Sequence, residues 1–117
     1  MSIRPLFAAL AVASLAGCAS DPAPTEQLKL TEQALEQAKA VGASDDQDDL
    51  QMAQAKYAQA RSAMLGKSYK DARMQAEEAE LDARLAEAKV LVAKSEEQLH
   101  QLDTRLNRLH KQLGSAQ

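Results

Sequence analysis

"SYKDARMQAEEAELDARLAEAKVLVAKSEEQLHQLDTRLNRLHKQL", Ser68 to Leu113, contains neither proline nor glycine. Most of its residues are Ala, Leu, Glu, Gln, Lys and Arg, the strongest helix formers. The stretch predicts one continuous helix over 69–113, roughly 67 Å long at 1.5 Å per residue. Two stripes run along it. Ala72, Ala76, Ala79, Ala83, Ala86, Val90 and Ala93 form one. Leu99, Leu102, Leu106, Leu109 and Leu113 form the other, and its register extends back through Val92, Ala88, Leu85 and Leu81. The registers differ by two residues, about 200° around a helix, so they occupy nearly opposite faces. The alanine face suits close packing against other helices. The leucine face has the 3–4 repeat of a coiled coil.

Moving toward the N-terminus, "LGKSYKDA" (Leu65–Ala72) is a turn. Gly66 ends the preceding helix and is expected in a left-handed conformation. Ser68 caps the long helix, with Asp71 at capping-box spacing. Before it, Leu50, Ala53, Tyr57, Ala60 and Met64 recur at helical spacing and predict a second helix over about 46–64. "SDDQDD" (Ser44–Asp49) opens that helix. Ser44 and Gln47 have capping-box spacing, and the aspartates complement the positive end of the helix dipole. A calcium loop needs a glycine and a late glutamate where this chain has Leu50 and Lys56. A first helix is expected over about 26–41, with Thr25 as cap, Gly42 as its stop, and Leu28, Leu35, Ala38 and Val41 as its apolar positions.

No run alternates apolar and polar residues as a strand does, so the fold class is all-α. The first two helices cover only half of the third. The expected architecture is a short antiparallel hairpin or three-helix bundle whose long C-terminal helix projects as a coiled-coil-like segment. Residues 26–113 form this helical domain and 114–117 a tail.

The N-terminal segment differs in kind. Arg4 precedes the almost wholly apolar "LFAALAVASL" (Leu6–Leu15), and small residues follow. This is the pattern of an export signal over 1–17. It is too short for a membrane span, which needs roughly 20 apolar residues. "LAGC" (Leu15–Cys18) resembles the lipobox of bacterial lipoproteins at all four positions. The resemblance implies that Cys18 is acylated, with palmitate among its chains, and becomes the mature N-terminus. Residues 18–25 are then the lipidated cysteine and a proline-containing tether. Two or more acyl chains anchor stably where one does not. In Gram-negative relatives an aspartate after the cysteine means inner-membrane retention. Here that residue is Ala19, so the resemblance implies the outer membrane, on its periplasmic face.

A second resemblance rests on "VGA", "LQMAQAKYAQA" and "KSYKDARMQAEEAELDARLAEA", which span Val41 to about Ala88. These residues resemble the bacterial domain of unknown function 4398 family, whose members are often lipoproteins. The family implies an envelope-associated helical domain and no activity. The turn at Tyr69–Ala72 is also similar to a tetratricopeptide helix pair, but one pair does not make a solenoid.

The full chain carries a net charge of −3, with 14 Lys+Arg against 17 Asp+Glu. Loss of Arg4 with the signal would make the mature chain −4. No basic cluster points to nucleic acid. His100 and His110 lie about 80° and 15 Å apart on a helix, too far to share an ion. Met52, Met64 and Met74 are expected to fill the core rather than bind copper. Tyr69 is expected to pack at its turn. No catalytic, cofactor or metal constellation emerges, and a non-enzymatic role is expected.

The expected function is therefore a lipid-anchored adaptor or scaffold, with the membrane as one partner. The leucine stripe would dock an envelope protein or another copy, and a coiled coil with another copy is the simplest cover. Dimer and trimer both stay open. The alternative is a cell-wall tether. The murein-lipoprotein type of covalent link uses a C-terminal lysine, whereas this sequence ends "GSAQ" after Lys111, so peptidoglycan binding would be non-covalent.

Overall fold

The computed structural model describes residues 21–45 and 47–117. The signal segment, Cys18 and its lipidation lie outside the described residues. Three helices follow in order: α1 (Thr25–Ala40), α2 (Asp48–Leu65) and α3 (Tyr69–Ser115). No strand occurs among the described residues. The 47 residues of α3 make one continuous helix about 70 Å long. The helix runs through Gly114 and Ser115, which the sequence reading placed in a tail.

The direction of each helix is fixed by its contacts with α3. Gln27 pairs with Glu80, Gln37 with Glu87, and the Val41 carbonyl with Lys94. Both numbers rise together, so α1 lies parallel to α3. Asp49 pairs with Lys89 and Lys56 with Asp82, so α2 runs antiparallel. This is an up-down-up bundle. The chain enters it at the end opposite the projecting part of α3, where Asp21 lies 4.0 Å from Arg73.

The core is built mainly of alanine. Ala72, Ala76, Ala79, Ala83 and Ala86 are fully buried, and Val90 nearly so. Without a long side chain between them, helix axes can approach closely and dispersion contacts become dense. Ala34, Leu35 and Ala38 from α1 and Leu50, Ala53 and Ala60 from α2 complete the core. Leu50 is its largest fully buried apolar side chain. Thr31 is fully buried too. Its hydroxyl lies 2.8 Å from the Ala76 carbonyl across the interface and 2.9 Å from its own helix's Gln27 carbonyl, and its one hydrogen serves both.

Both interhelical turns close the same way. After α1, the amide of Ala43 donates to the Ala38 carbonyl and that of Gly42 to Lys39. After α2, Ser68 donates to Ala63 and Lys67 to Met64. Each is a Schellman cap, which needs a left-handed residue just past the helix. Gly42 fills that position in the first turn with φ 104°, and Lys67 fills it in the second with φ 59°. The expectation that Gly66 would be left-handed is corrected: its φ is −77°. The turn closes one residue later than the glycine, and a lysine carries the strain.

The N-terminal caps also differ from expectation. Pro24, not Thr25, precedes α1, and Gln47, not Ser44, precedes α2. Ser68 does precede α3, but its side chain makes no capping hydrogen bond. The methionines depart as well. Met52 and Met74 are about half exposed, because the alanine core leaves no gap that needs an adaptable filler.

Candidate functional site

The bundle covers α3 only as far as Val90, and every residue from Leu91 onward is exposed. Leu99, Leu102, Leu106, Leu109 and Leu113 lie 52–67% exposed along one side. Further back, where α1 and α2 pack, the same register remains open: Leu81, Leu85 and Val92 are 46–67% exposed. The reason is angular. The bundle helices occupy the alanine face, and the leucine register lies nearly opposite it. Ten consecutive 3–4 positions, Leu81 to Leu113, therefore form one uncovered line, interrupted by a single polar residue, Ser95. Ser95 donates its hydroxyl hydrogen back to the Leu91 carbonyl at 2.9 Å.

Charged contacts brace the bundle on either side of this line. Lys56 lies 2.8 Å from Asp82 and 3.3 Å from Glu78. The hydrogen bond that Lys56 donates to Asp82 dominates, outweighs partial desolvation, and holds the Lys56 ammonium above its usual pKa. Glu80 accepts from Gln27 at 2.7 Å and from Arg84 at 2.6 Å. These bonds, Gln27 first, hold its carboxyl below the usual glutamate range. Burial raises the Tyr57 phenol, with help from Glu32. Each shift has a structural partner, and none of the three groups lines a cleft. Asp45, in the acidic loop, accepts from Gln54 at 2.9 Å and pairs with Lys39 at 3.7 Å.

The concave features are shallow. One groove, about 630 Å³, lies where the α1–α2 turn meets α3, beside Gly42, Lys89 and Lys94. Another, about 550 Å³, lies at the opposite end between Asp21, Lys67 and Tyr69. Among the described residues no three His, Cys, Asp or Glu side chains converge as metal ligands would. No described helix is long and apolar enough to cross a membrane. His100 and His110 are both exposed, and Tyr69 is partly buried at its turn. The sequence reading missed Thr31, although Thr31 fills the gap between Leu28 and Leu35 in the 3–4 pattern. It also missed the Gln27–Glu80–Arg84 and Lys56–Asp82 contacts, whose partners lie on different helices.

A family model described as a domain of unknown function (DUF4398) matches residues 26–102. The chain belongs to the DUF4398 family. A crystal structure of a DUF4398 family protein from Pseudomonas aeruginosa PAO1 is 64% identical to it, with a TM-score of 0.78. The similarity covers 82% of this chain and 100% of that one. No curated protein matches. The family match therefore includes the whole bundle and ends at Leu102, inside the exposed leucine line.

Proposed function

We propose that this DUF4398 protein is a lipid-anchored adaptor of the bacterial cell envelope. Cys18 carries the lipid, the outer membrane holds it, and the helical domain faces the periplasm without catalytic activity. The uncovered leucine line of α3 is the observation that carries the adaptor reading. Burying one leucine stabilises by roughly 1.5–3 kcal/mol, so a row of five left wet is costly without a docking role. The polarity of the bundle supports the same reading. The chain enters at the base beside Arg73, and Ser115 stands about 63 Å further along α3. An anchor at Cys18 would hold the base near the membrane and present the leucine line away from it.

The test combines fractionation with in-cell crosslinking. Cys18→Ser is expected to leave an unprocessed precursor that no longer partitions with outer-membrane lipids. Leu102→Asp with Leu109→Asp is expected to abolish crosslinked adducts while the protein stays anchored. A Cys18→Ser protein that is still processed and membrane-bound overturns the lipid anchor. Retention on peptidoglycan after boiling in detergent, with no protein adduct, would replace the adaptor by a non-covalent cell-wall tether.

A further inference from the structure

The base of the bundle is built unlike the rest of the molecule. Leu65, the last residue of α2, is 86% exposed, more than any other large apolar side chain among the described residues. Lys67 and Lys70 follow it in the turn and the first turn of α3, and both are exposed. No ion pair among the described residues engages either lysine. From Arg61 to Arg73 the charged residues are Arg61, Lys67, Lys70 and Arg73, with Asp71 the one carboxylate. Asp21 and Glu26 lie at the same end, but their cationic neighbours are Arg73 and Lys29. The turn is therefore positive on a chain that is acidic as a whole.

Lys67 is also the residue held at φ 59°. A glycine would make this turn with less strain, and a strained residue that forms no ion pair in the fold points to a use for its side chain outside the fold. The neighbours suggest which use. A projecting leucine, two lysines and a partly buried tyrosine, Tyr69, together suit a bilayer surface. The leucine enters the headgroup layer, the lysines keep their ammonium groups on phosphates, and the tyrosine ring bridges apolar and wet surroundings.

Chain length says how near such a surface is. Asp21 is the third residue after Cys18, at most about 11 Å away in fully extended chain. Asp21 lines the same shallow groove as Lys67, Ser68, Tyr69 and Lys70. A lipidated Cys18 lies at headgroup level, so the turn is held close to the bilayer, at a distance comparable to the Debye length of about 8 Å at physiological salt.

We infer that the α2–α3 turn is a membrane-contact site, at which Leu65, Lys67 and Lys70 engage anionic phospholipid headgroups. The inference rests on Cys18 carrying the lipid. It gives the molecule two attachments, the acyl chains and the turn, and two attachments restrict the tilt of α3 as one does not. The leucine line, which runs from Leu81 away from the base, is thereby held off the bilayer.

The test uses the processed full-length protein, purified from membranes and reconstituted in vesicles of phosphatidylethanolamine and phosphatidylglycerol. Acylation consumes the Cys18 thiol, so Ser68→Cys or Leu106→Cys supplies the only free thiol for an environment-sensitive fluorophore. The Ser68 side chain makes no capping hydrogen bond, so its replacement leaves the turn intact. Lipids spin-labelled near the headgroup quench a probe that touches the bilayer surface. The probe at position 68 is expected to be quenched several-fold more than the probe at position 106. Leu65→Ser, Lys67→Glu with Lys70→Glu, and exchange of phosphatidylglycerol for phosphatidylcholine should each lower quenching at position 68 several-fold, while the protein still floats with the vesicles. A floating protein with no more quenching at 68 than at 106 overturns the contact and keeps the anchor. That includes strong quenching at both positions, which means that α3 lies flat with its leucine line in the bilayer. Quenching at 68 that ignores charge reversal and lipid exchange overturns the headgroup contact. A protein that does not float, with fluorophore also on Cys18, overturns the lipid anchor and the inference with it.

Discussion

Lys67 occupies a backbone conformation that costs an L-residue roughly 1–2 kcal/mol and costs glycine almost nothing. Gly42 holds the same place in the other turn, so the chain contains its own comparison. Lys67→Gly should therefore stabilise the bundle by about 1 kcal/mol, raising the melting temperature by roughly 4–8 °C in thermal denaturation. A lowered melting temperature would mean that the lysine side chain makes a contact outweighing its strain. Thr31→Val tests the other buried device. The hydroxyl bond across to Ala76 is lost, but the Ala76 carbonyl keeps its place in the helix ladder, so about 0.5–1.5 kcal/mol should be lost. These residues also mark where sequence reading stops. Gly66 announces a turn, but which residue becomes left-handed depends on where the last helical hydrogen bond forms. Thr25 and Ser44 are good cap residues in isolation, yet Pro24 and Gln47 hold the cap positions before the helices. Cap identity follows how the turns pack, which short-range pattern does not record.

At the scale of elements, period did most of the specifying. The alanine register of α3 was legible because six of its positions, Ala72 to Val90, face α1 and α2 at 3–4 spacing. Ala93 belongs to the same register but is exposed, because α1 ends before it. The core-filling role expected of Met52 and Met74 failed for a related reason. An interface closed by alanines has no volume for them. The same closeness makes enlargement costly. Ala79→Leu should destabilise by about 1–3 kcal/mol or more, read as a lower denaturation midpoint. Polar contacts between elements add a pH dependence. Glu80's carboxyl is held below its ordinary value of 4.5 by Gln27 and then Arg84. Its stabilising contribution is fully present above 4.5 and is lost as the pH falls through the lowered folded-state value. Glu80→Gln should flatten that acid limb of the stability profile. Lys56 acts at the other extreme. Its raised value means a contribution present below 10.5 and lost as the pH rises through the folded-state value.

The whole molecule is a bundle at one end of a strut. Membership of the DUF4398 family and the all-α architecture are established by sequence and structural similarity as well as by the helices themselves. The proposed function rests on the asymmetry between the two faces of α3. One face is consumed by folding, and the other carries an uncovered leucine line. The central claim is that this second face is where the protein meets its partner. Site-specific photocrosslinking in the intact envelope tests it most directly, with the reactive group at position 106, on the line, or at position 104, on the opposite side. The account predicts a discrete adduct from position 106 and none from position 104. Equal labelling from both positions, or labelling from neither, would contradict it.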